Sequence, residues 1–182
     1  MTHKDLVEVG YKWVLKSGGC GVAFKELNSG AFNGEYPDVI GFASGGHSLL
    51  IEVKTSRSDF LSDSRKRFRK DPKIGMGSYR YYLCPKGLIK REELPEGWGL
   101  IYVDDKLRAR VEYKPMIEVV KECGTYKYHY THEKCLKSEH GLMYSALRRL
   151  FIKGYVKHIY DKDYNRYLTN RDIIELNQDP SK

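Results

Sequence analysis

Hydrophobic and polar positions follow two different periods along the chain. From Leu6 to Val14 the apolar residues recur at helical spacing. Thr2 precedes this run and Asp5 follows three residues later, which is the pattern of a capping box. The pattern predicts a first helix that ends at the glycine-rich residues 17–19. Shorter runs with strand character follow at residues 20–27, 36–43, 48–55, 79–84 and 99–104.

The order of the predicted elements indicates the fold class. The runs at 36–43 and 48–55 are joined by Ser44-Gly45-Gly46-His47, which predicts an antiparallel hairpin. A basic helix is predicted at 59–70, a longer helix from the stripe at 142–151, a strand at 155–160 and a short helix at 169–176. We expect an α/β or α+β protein with one mixed sheet flanked by helices.

Two segments differ in character and suggest a domain division. Residues 1–122 carry most of the predicted strands and form the expected core. Residues 123–182 are predicted to be a helical and basic extension that can pack on the same domain. This extension also contains cysteines and histidines, but their spacing fits no zinc-binding pattern, and its role stays open.

The hairpin brings acidic residues together in the predicted sheet. If its turn centres near Gly45, the sequence numbers of facing residues add up to about 90. Asp38 then lies opposite Glu52, with their Cβ atoms roughly 4.5–5.5 Å apart. Lys54 is two residues beyond Glu52 and shares the same face of the sheet. These three residues are therefore candidate catalytic residues.

Two facing carboxylates among apolar neighbours must be neutralised, because burying unpaired charge is costly. Lys54 can offset one of the charges, and the simplest structural alternative is an ion pair between Lys54 and Glu52 or Asp38. A divalent cation offsets both charges. Mg²⁺ prefers one or two carboxylates together with waters and phosphate oxygens. The arrangement therefore indicates a magnesium site that can accept a phosphate.

The same residues resemble a known family. Pro37-Asp38 followed by Glu52-Val53-Lys54 is similar to the PD…ExK signature of the PD-(D/E)XK nuclease superfamily. The segment IEVKTSRSDF at 51–60 resembles MmcB-like DNA-repair proteins and related uncharacterised phage proteins. The similarity to the phage proteins continues through residues 79–82 and 94–100, and it covers roughly the first hundred residues.

The resemblance implies a restriction-endonuclease-like core and a Mg²⁺-dependent nuclease in which Mn²⁺ can replace Mg²⁺. Asp38, Glu52 and the backbone carbonyl of Val53 would hold the metal, and Lys54 would orient or deprotonate the attacking water. The products would carry a 5′-phosphate and a 3′-hydroxyl. Family sites often include a further acid from the first helix or strand. Glu26 is preferred over Glu8, because the helical pattern predicts that Glu8 faces solvent.

Charge adds a candidate nucleic-acid surface. The formal net charge is +8, which favours polyanionic partners. Basic residues follow the proposed site closely, and we predict that they contact phosphates: Arg57, Arg65, Lys66, Arg67, Arg69 and Arg80. Tyr126, Tyr128 and Tyr130 form an alternating run that suits either base stacking or core packing, of which packing is preferred.

The expected function is hydrolysis of DNA in repair, recombination or phage DNA processing. A DNA-structure-binding module without catalysis and an RNA nuclease are the alternatives. Many relatives act as dimers, so a homodimer is an option that no residue pattern indicates. The chain contains neither a signal-peptide pattern nor an apolar run of membrane length, so we expect a cytoplasmic protein of a bacterium or phage-infected host, without a membrane partner.

Overall fold

The computed structural model describes residues 1–29 and 33–160. In this part of the chain the helices are α1 (His3–Lys16), α2 (Arg57–Asp63), α3 (Arg67–Lys70) and α4 (Leu136–Ile152). The strands are β1 (Val22–Lys25), β2 (Val39–Phe42), β3 (Ser48–Val53), β4 (Tyr79–Pro85), β5 (Trp98–Val103), β6 (Ala109–Tyr113), β7 (Met116–Lys121) and β8 (Gly124–His129). Short 3₁₀ helices lie at Pro72–Ile74, Arg91–Glu93 and Tyr155–Tyr160.

Six strands form one mixed sheet in the order β1-β2-β3-β4-β5-β6. β2 pairs antiparallel with both β1 and β3, while β3, β4 and β5 run parallel and β6 pairs antiparallel with β5. A parallel pair needs a long crossover, and the connection from β3 to β4 contains α2 and α3. The predicted class, an α+β fold with a central mixed sheet flanked by helices, is confirmed.

Helix α1 covers one face of this sheet. Its N-terminus has the predicted capping box, in which the Thr2 N–H donates to Asp5 Oδ2 at 2.8 Å and the Asp5 N–H donates to Thr2 Oγ1 at 3.2 Å. Leu6 and Val14 of the predicted stripe are buried against strand residues that include Ile51. The cap and this packing together fix where the first turn of α1 meets the sheet.

The opposite face carries the second half of the core. Ile40 and Leu50 pack there with Phe60 of α2 and Leu142 of α4. Side chains alternate along a strand, so the even-numbered residues of β3 point to this face. Glu52 follows the same alternation and therefore faces α2 and α3.

The predicted helix at 59–70 is two helices, and the prediction of one continuous helix is wrong. The chain leaves helical geometry between them, where Lys66 is extended with φ −63° and ψ 139°. In a continuous helix, Asp63 and Arg69 would point about 120° apart, since a turn takes 3.6 residues. The break lets both side chains meet over the sheet, where Arg69 Nε donates to Asp63 Oδ2 at 2.8 Å.

The segment after β6 crosses the predicted domain boundary. β7 and β8 pair as a separate two-stranded antiparallel sheet, and the turn between them contains residues 122 and 123. The chain then returns to the six-stranded sheet, where the His132 N–H donates to the Ser78 carbonyl at 2.9 Å. Leu142 is fully buried in the main core. Residues after 123 thus contribute to the same core as residues 1–122.

The end of the chain differs from the prediction in one element. Residues Tyr155–Tyr160 form a 3₁₀ helix, so the predicted strand is wrong. Most of these residues are exposed, and no strand of the described chain pairs with them to support extended geometry. The predicted helix at 169–176 lies outside the described residues. Among the described helices, none combines the length and apolar character that a membrane crossing requires.

Candidate active site

The predicted hairpin register is confirmed. Val39 faces Ile51 and Ile40 faces Leu50, and Asp38 directly precedes β2 beside the end of β3 that carries Glu52. The Asp38 carboxylate turns to the end of β3, where its Oδ2 accepts a hydrogen bond from the Val53 N–H at 2.7 Å. The hairpin therefore brings Asp38, Glu52 and Lys54 to one end of the sheet, as the sequence predicts.

Lys54 lies in a buried network of acids. Its side chain is 3% exposed, and its Nζ lies 3.0 Å from Asp63 Oδ1, 3.5 Å from Glu52 Oε2 and 3.5 Å from Asp59 Oδ1. The ion pair between Lys54 and Glu52, which was the structural alternative to a metal site, is thus present. These contacts hold the ammonium group in one place beside Glu52.

Asp63 is the centre of this network, although it was not predicted as a site residue from the sequence. The carboxylate is fully buried, accepts from Tyr82 Oη at 2.8 Å, and pairs with Lys66 at 2.7 Å. Burial alone would raise the pKa of Asp63, but Arg69, Lys66 and Lys54 outweigh it and hold that pKa far below its usual range. Asp63 is therefore a permanent anion that orients the surrounding cations.

Glu52 is neutralised by three cations. Its carboxylate is 3% exposed and lies 2.9 Å from Arg69 Nη2, 3.5 Å from Lys54 Nζ and 3.6 Å from Lys66 Nζ. From the sequence, either Lys54 or a divalent cation was expected to offset the charges of Asp38 and Glu52. In this structure Arg69 provides much of that offset, so Glu52 does not need a metal to be tolerated.

Asp38 also belongs to a second cluster, which it forms with His3 and Glu26 on its exposed side. His3 Nε2 lies 3.3 Å from Glu26 Oε1 and 3.5 Å from Asp38 Oδ1. One potential ligand atom from each of these residues lies within 4.8 Å of the others, and this is the one such cluster in residues 1–29 and 33–160. Burial, followed by the nearby Glu52 carboxylate, raises the pKa of Asp38 to about 6.

The backbone at the end of β1 explains why Glu26 reaches this cluster. Glu26 has a φ of 47°, in the left-handed region that is uncommon for residues other than glycine, and its N–H donates to the Asp38 carbonyl at 3.0 Å. Glu8, the alternative acid, pairs with Lys25 instead. The choice of Glu26 over Glu8 thus agrees with the geometry.

His3 was not predicted as a site residue from the sequence. It is the first helical residue of α1, directly after the Thr2 cap. Its approach to Glu26 depends on how α1 packs on the sheet, and local patterns carry no information about that packing. A histidine beside a helix cap in a chain with two later acids was the available signal, but it is a weak one.

The three side chains suit a divalent cation. They offer one imidazole nitrogen and two carboxylates, a donor set that accepts Mn²⁺ and other first-row ions, and Mg²⁺ when waters complete the shell. The side chains of His3 and Glu26 are 43% and 58% exposed, so an ion could reach them from solvent. Of the predicted metal ligands, Asp38 and Glu26 come together, whereas Glu52 faces Arg69.

The predicted phosphate contacts divide into exposed and buried residues. Arg57, Arg65, Lys66 and Arg67 are exposed, and Arg57 is paired with Glu93 at 2.5 Å. The prediction for Arg69 needs correction, because its side chain is 3% exposed and paired with Glu35, Glu52 and Asp63.

Arg80 needs the same correction. It is 1% exposed, and its guanidinium donates to the carbonyls of Gly77, Pro72, Gly75 and Glu133 at 2.8–3.2 Å. Burial lowers the pKa of Arg80 to about 10. Its role is to tie the loop before β4 to the segment before α4, and it does not face a phosphate.

Comparison with known proteins adds evidence on the fold. Neither a family model nor a curated protein matches the chain. A solved structure, the SPO1766 protein of unknown function from Silicibacter pomeroyi, is similar with a TM-score of 0.55 and 17% sequence identity. The similarity covers 91% of this chain and 99% of that protein. At this identity the likeness supports the shared fold and carries no information on activity.

Proposed function

We propose that the protein is a metal-dependent nuclease that hydrolyses phosphodiester bonds in DNA. The observation that carries the proposal is the convergence of Asp38, Glu52 and Lys54 at one end of the sheet, with Glu26 and His3 completing an acidic cluster around Asp38. The resemblance to the PD…ExK signature supports the same assignment.

His3, Glu26 and Asp38 would hold the cation, which fits their donor set. A bound Mg²⁺ or Mn²⁺ supplies Lewis-acid stabilisation of phosphate charge and a more acidic bound water. Lys54 can donate a hydrogen bond to the attacking water or to an anionic phosphate oxygen, because its ammonium is held by Asp63. Glu52 keeps the charge around Lys54 balanced, since it pairs with Lys54 and Arg69.

A non-catalytic DNA-binding module is the second candidate. Its support is that Glu52, Lys54, Asp63 and Arg69 already satisfy one another in a buried ion-pair network, as a purely structural cluster would. In that case the exposed Arg57, Arg65 and Arg67 would bind phosphate while no bond is cleaved. An RNA nuclease is a further alternative, which the RNA substrate in the same experiment tests.

A cleavage assay separates these functions. Labelled single-stranded, duplex, flap and junction DNAs and an RNA are incubated with Mg²⁺, Mn²⁺ or EDTA. We expect wild type to cleave DNA only with the metal, Asp38→Asn to abolish cleavage, and Lys54→Met to slow it by about 10²–10⁴-fold. Glu8→Gln, which removes an acid of the same helix as His3, is the matched control and should cleave normally. Binding without cleavage by wild type would favour the non-catalytic module.

A further inference from the structure

The β7–β8 sheet has one face that is open and aromatic. Paired residues share a face, so Ile117 and Tyr128 lie on the same side as Val119 and Tyr126. Every residue of the two strands is exposed except Val119 and His129. Tyr126 is 39% exposed and Tyr128 is 42% exposed. Core packing, the interpretation that the sequence favoured for these tyrosines, therefore does not account for them.

The other face of the same sheet attaches it to the core. The His129 ring stacks on Tyr79 with centroids 4.1 Å apart, and His129 Nε2 lies 3.0 Å from Tyr81 Oη. Burial lowers the pKa of His129 to about 4, so the ring is neutral at physiological pH. His129 thus attaches the sheet to the core from the face opposite to Tyr126 and Tyr128, whose side chains stay exposed.

Charge is arranged unequally between the two faces. Lys121 lies on the tyrosine face, with its Nζ 5.6 Å from the Tyr126 ring centroid and 5.7 Å from that of Tyr128. Glu118 lies on the opposite face and is neutralised by Lys127 at 3.0 Å. Within β7 and β8, the tyrosine face thus carries a cation and no carboxylate. The whole chain also has a net charge of +8. The tyrosine face complements an anion that also has flat apolar groups.

A groove continues this surface at the base of the two strands. It has a volume of about 290 Å³, and Ile117 and Tyr130 line it together with Arg91 and Tyr113. The Arg91 guanidinium lies 4.2 Å from the Tyr113 ring centroid. Aromatic rings and two cations, Lys121 and Arg91, therefore extend from Tyr126 into this groove, whose lining also includes Glu96. Alternating stacking rings and cations are the features with which proteins hold unpaired bases and their phosphates.

We propose that the Tyr126–Tyr128 face and the adjoining groove bind single-stranded nucleic acid by base stacking. If the protein is a nuclease, this surface makes a single strand its preferred substrate, and to that extent the proposal rests on the proposed function. Duplex DNA fits less well, because its bases are stacked on one another and do not offer their faces to tyrosine rings.

Binding is measured by fluorescence anisotropy with a labelled dT20 strand and a 20-base-pair duplex, in EDTA so that cleavage does not intervene. We expect wild type to prefer the single strand, and Tyr126→Ala/Tyr128→Ala to lose at least about tenfold in affinity for it. Tyr126→Phe/Tyr128→Phe should bind like wild type, because the ring faces are kept. Tyr144→Ala/Tyr155→Ala removes two exposed tyrosines elsewhere and should have no effect.

Crosslinking of wild type to a strand that carries 5-iodouracil, mapped by mass spectrometry, tests the same surface without any variant. Crosslinks on Tyr126 or Tyr128 are expected, and crosslinks confined to other regions would overturn the proposal. Equal binding of single strand and duplex, or unchanged affinity of the alanine variant, would also overturn it. Tyrosine-dependent binding in EDTA without cleavage in Mn²⁺ would contradict the proposed nuclease activity but support the binding surface. Cleavage without tyrosine-dependent binding would support the nuclease activity and overturn the binding surface.

Discussion

Among single residues, Asp63 determines how the cations of the site are arranged. It is fully buried, and it contacts Lys54, Lys66, Arg69 and Tyr82. Removing one partner from a buried ion-pair network leaves the remaining charges uncompensated. The resulting loss of unfolding free energy exceeds what the intact network contributes to stability. The carboxylate is therefore needed both for the fold and for holding Lys54 in place.

Asp63→Asn should lower the free energy of unfolding by about 3–5 kcal/mol, because three buried or half-buried cations lose their shared anion. Urea unfolding measures this change. Asp59→Asn is the matched control, since Asp59 lies 3.5 Å from the same Lys54 but its side chain is 43% exposed. It should cost less than about 1 kcal/mol. Equal stability of Asp63→Asn and wild type would contradict the role of Asp63.

Local pattern predicted some of these residues and missed others for a physical reason. Asp38, Glu52 and Lys54 follow from a period of two and a short turn, which are both local. Asp63 meets Arg69 only because the helix breaks between them, and His3 meets Glu26 only because α1 docks on the sheet. The available signal for Asp63 was its position three residues after Phe60, on the inward face of α2.

At the scale of elements, α4 is attached to the sheet by a buried carboxylate. Glu139 is 3% exposed, its Oε1 accepts from Ser48 Oγ at 2.5 Å and from the Gly77 N–H at 2.9 Å, and its Oε2 pairs with Lys134 at 2.9 Å. These contacts join the start of α4 to the beginning of β3 and to the loop before β4. Much of the later part of α4 is exposed, including Leu147 and Phe151. The attachment of α4 therefore depends strongly on its first turns.

Glu139→Gln should destabilise the protein by about 1.5–3 kcal/mol, because the buried acceptor loses its charge and its ion pair with Lys134. Urea unfolding gives the free energy, and hydrogen exchange should reveal faster exchange in α4 than in the sheet. Glu133→Gln is the control, since Glu133 pairs with Lys73 while both side chains are about 70% exposed. It should change stability by less than about 1 kcal/mol. Unchanged exchange in α4 of Glu139→Gln would contradict the anchoring role.

The sequence predicted helices and strands well where one face is buried. It predicted them poorly where tertiary contacts determine where an element begins or ends. The hairpin and α1 have strong periodicity, and both formed as expected. The basic segment 59–70 has helical propensity throughout, but the contact of Asp63 with Arg69 requires a break that no propensity encodes. The same limit explains why Arg69 and Arg80 were wrongly predicted to contact phosphates. The sequence does not distinguish an arginine that is buried against acids or carbonyls from one that is exposed.

At the scale of the whole molecule, acid should weaken the fold through its buried histidines. His132 is 6% exposed, and its Nε2 lies 3.0 Å from the Gly97 carbonyl. Burial, followed by the Arg80 charge, lowers the pKa of His132 to about 4. The unfolded chain has a histidine pKa of about 6.5 and binds more protons between these two values. Stability from His132 is therefore fully present above about pH 6.5 and is lost as the pH falls toward 4.

Wild type should lose roughly 2 kcal/mol of unfolding free energy between pH 7 and pH 5 through His132 alone. His132→Gln should remove this part of the loss, because the amide can still donate to the Gly97 carbonyl but takes up no proton. Asp38, whose pKa is raised to about 6, acts in the opposite direction in both proteins, so the difference between them isolates His132. Urea unfolding at each pH measures it, with His140→Gln at an exposed position as the control. Parallel pH profiles for wild type and His132→Gln would mean that His132 takes up a proton as readily in the folded protein as in the unfolded chain, so that burial does not lower its pKa.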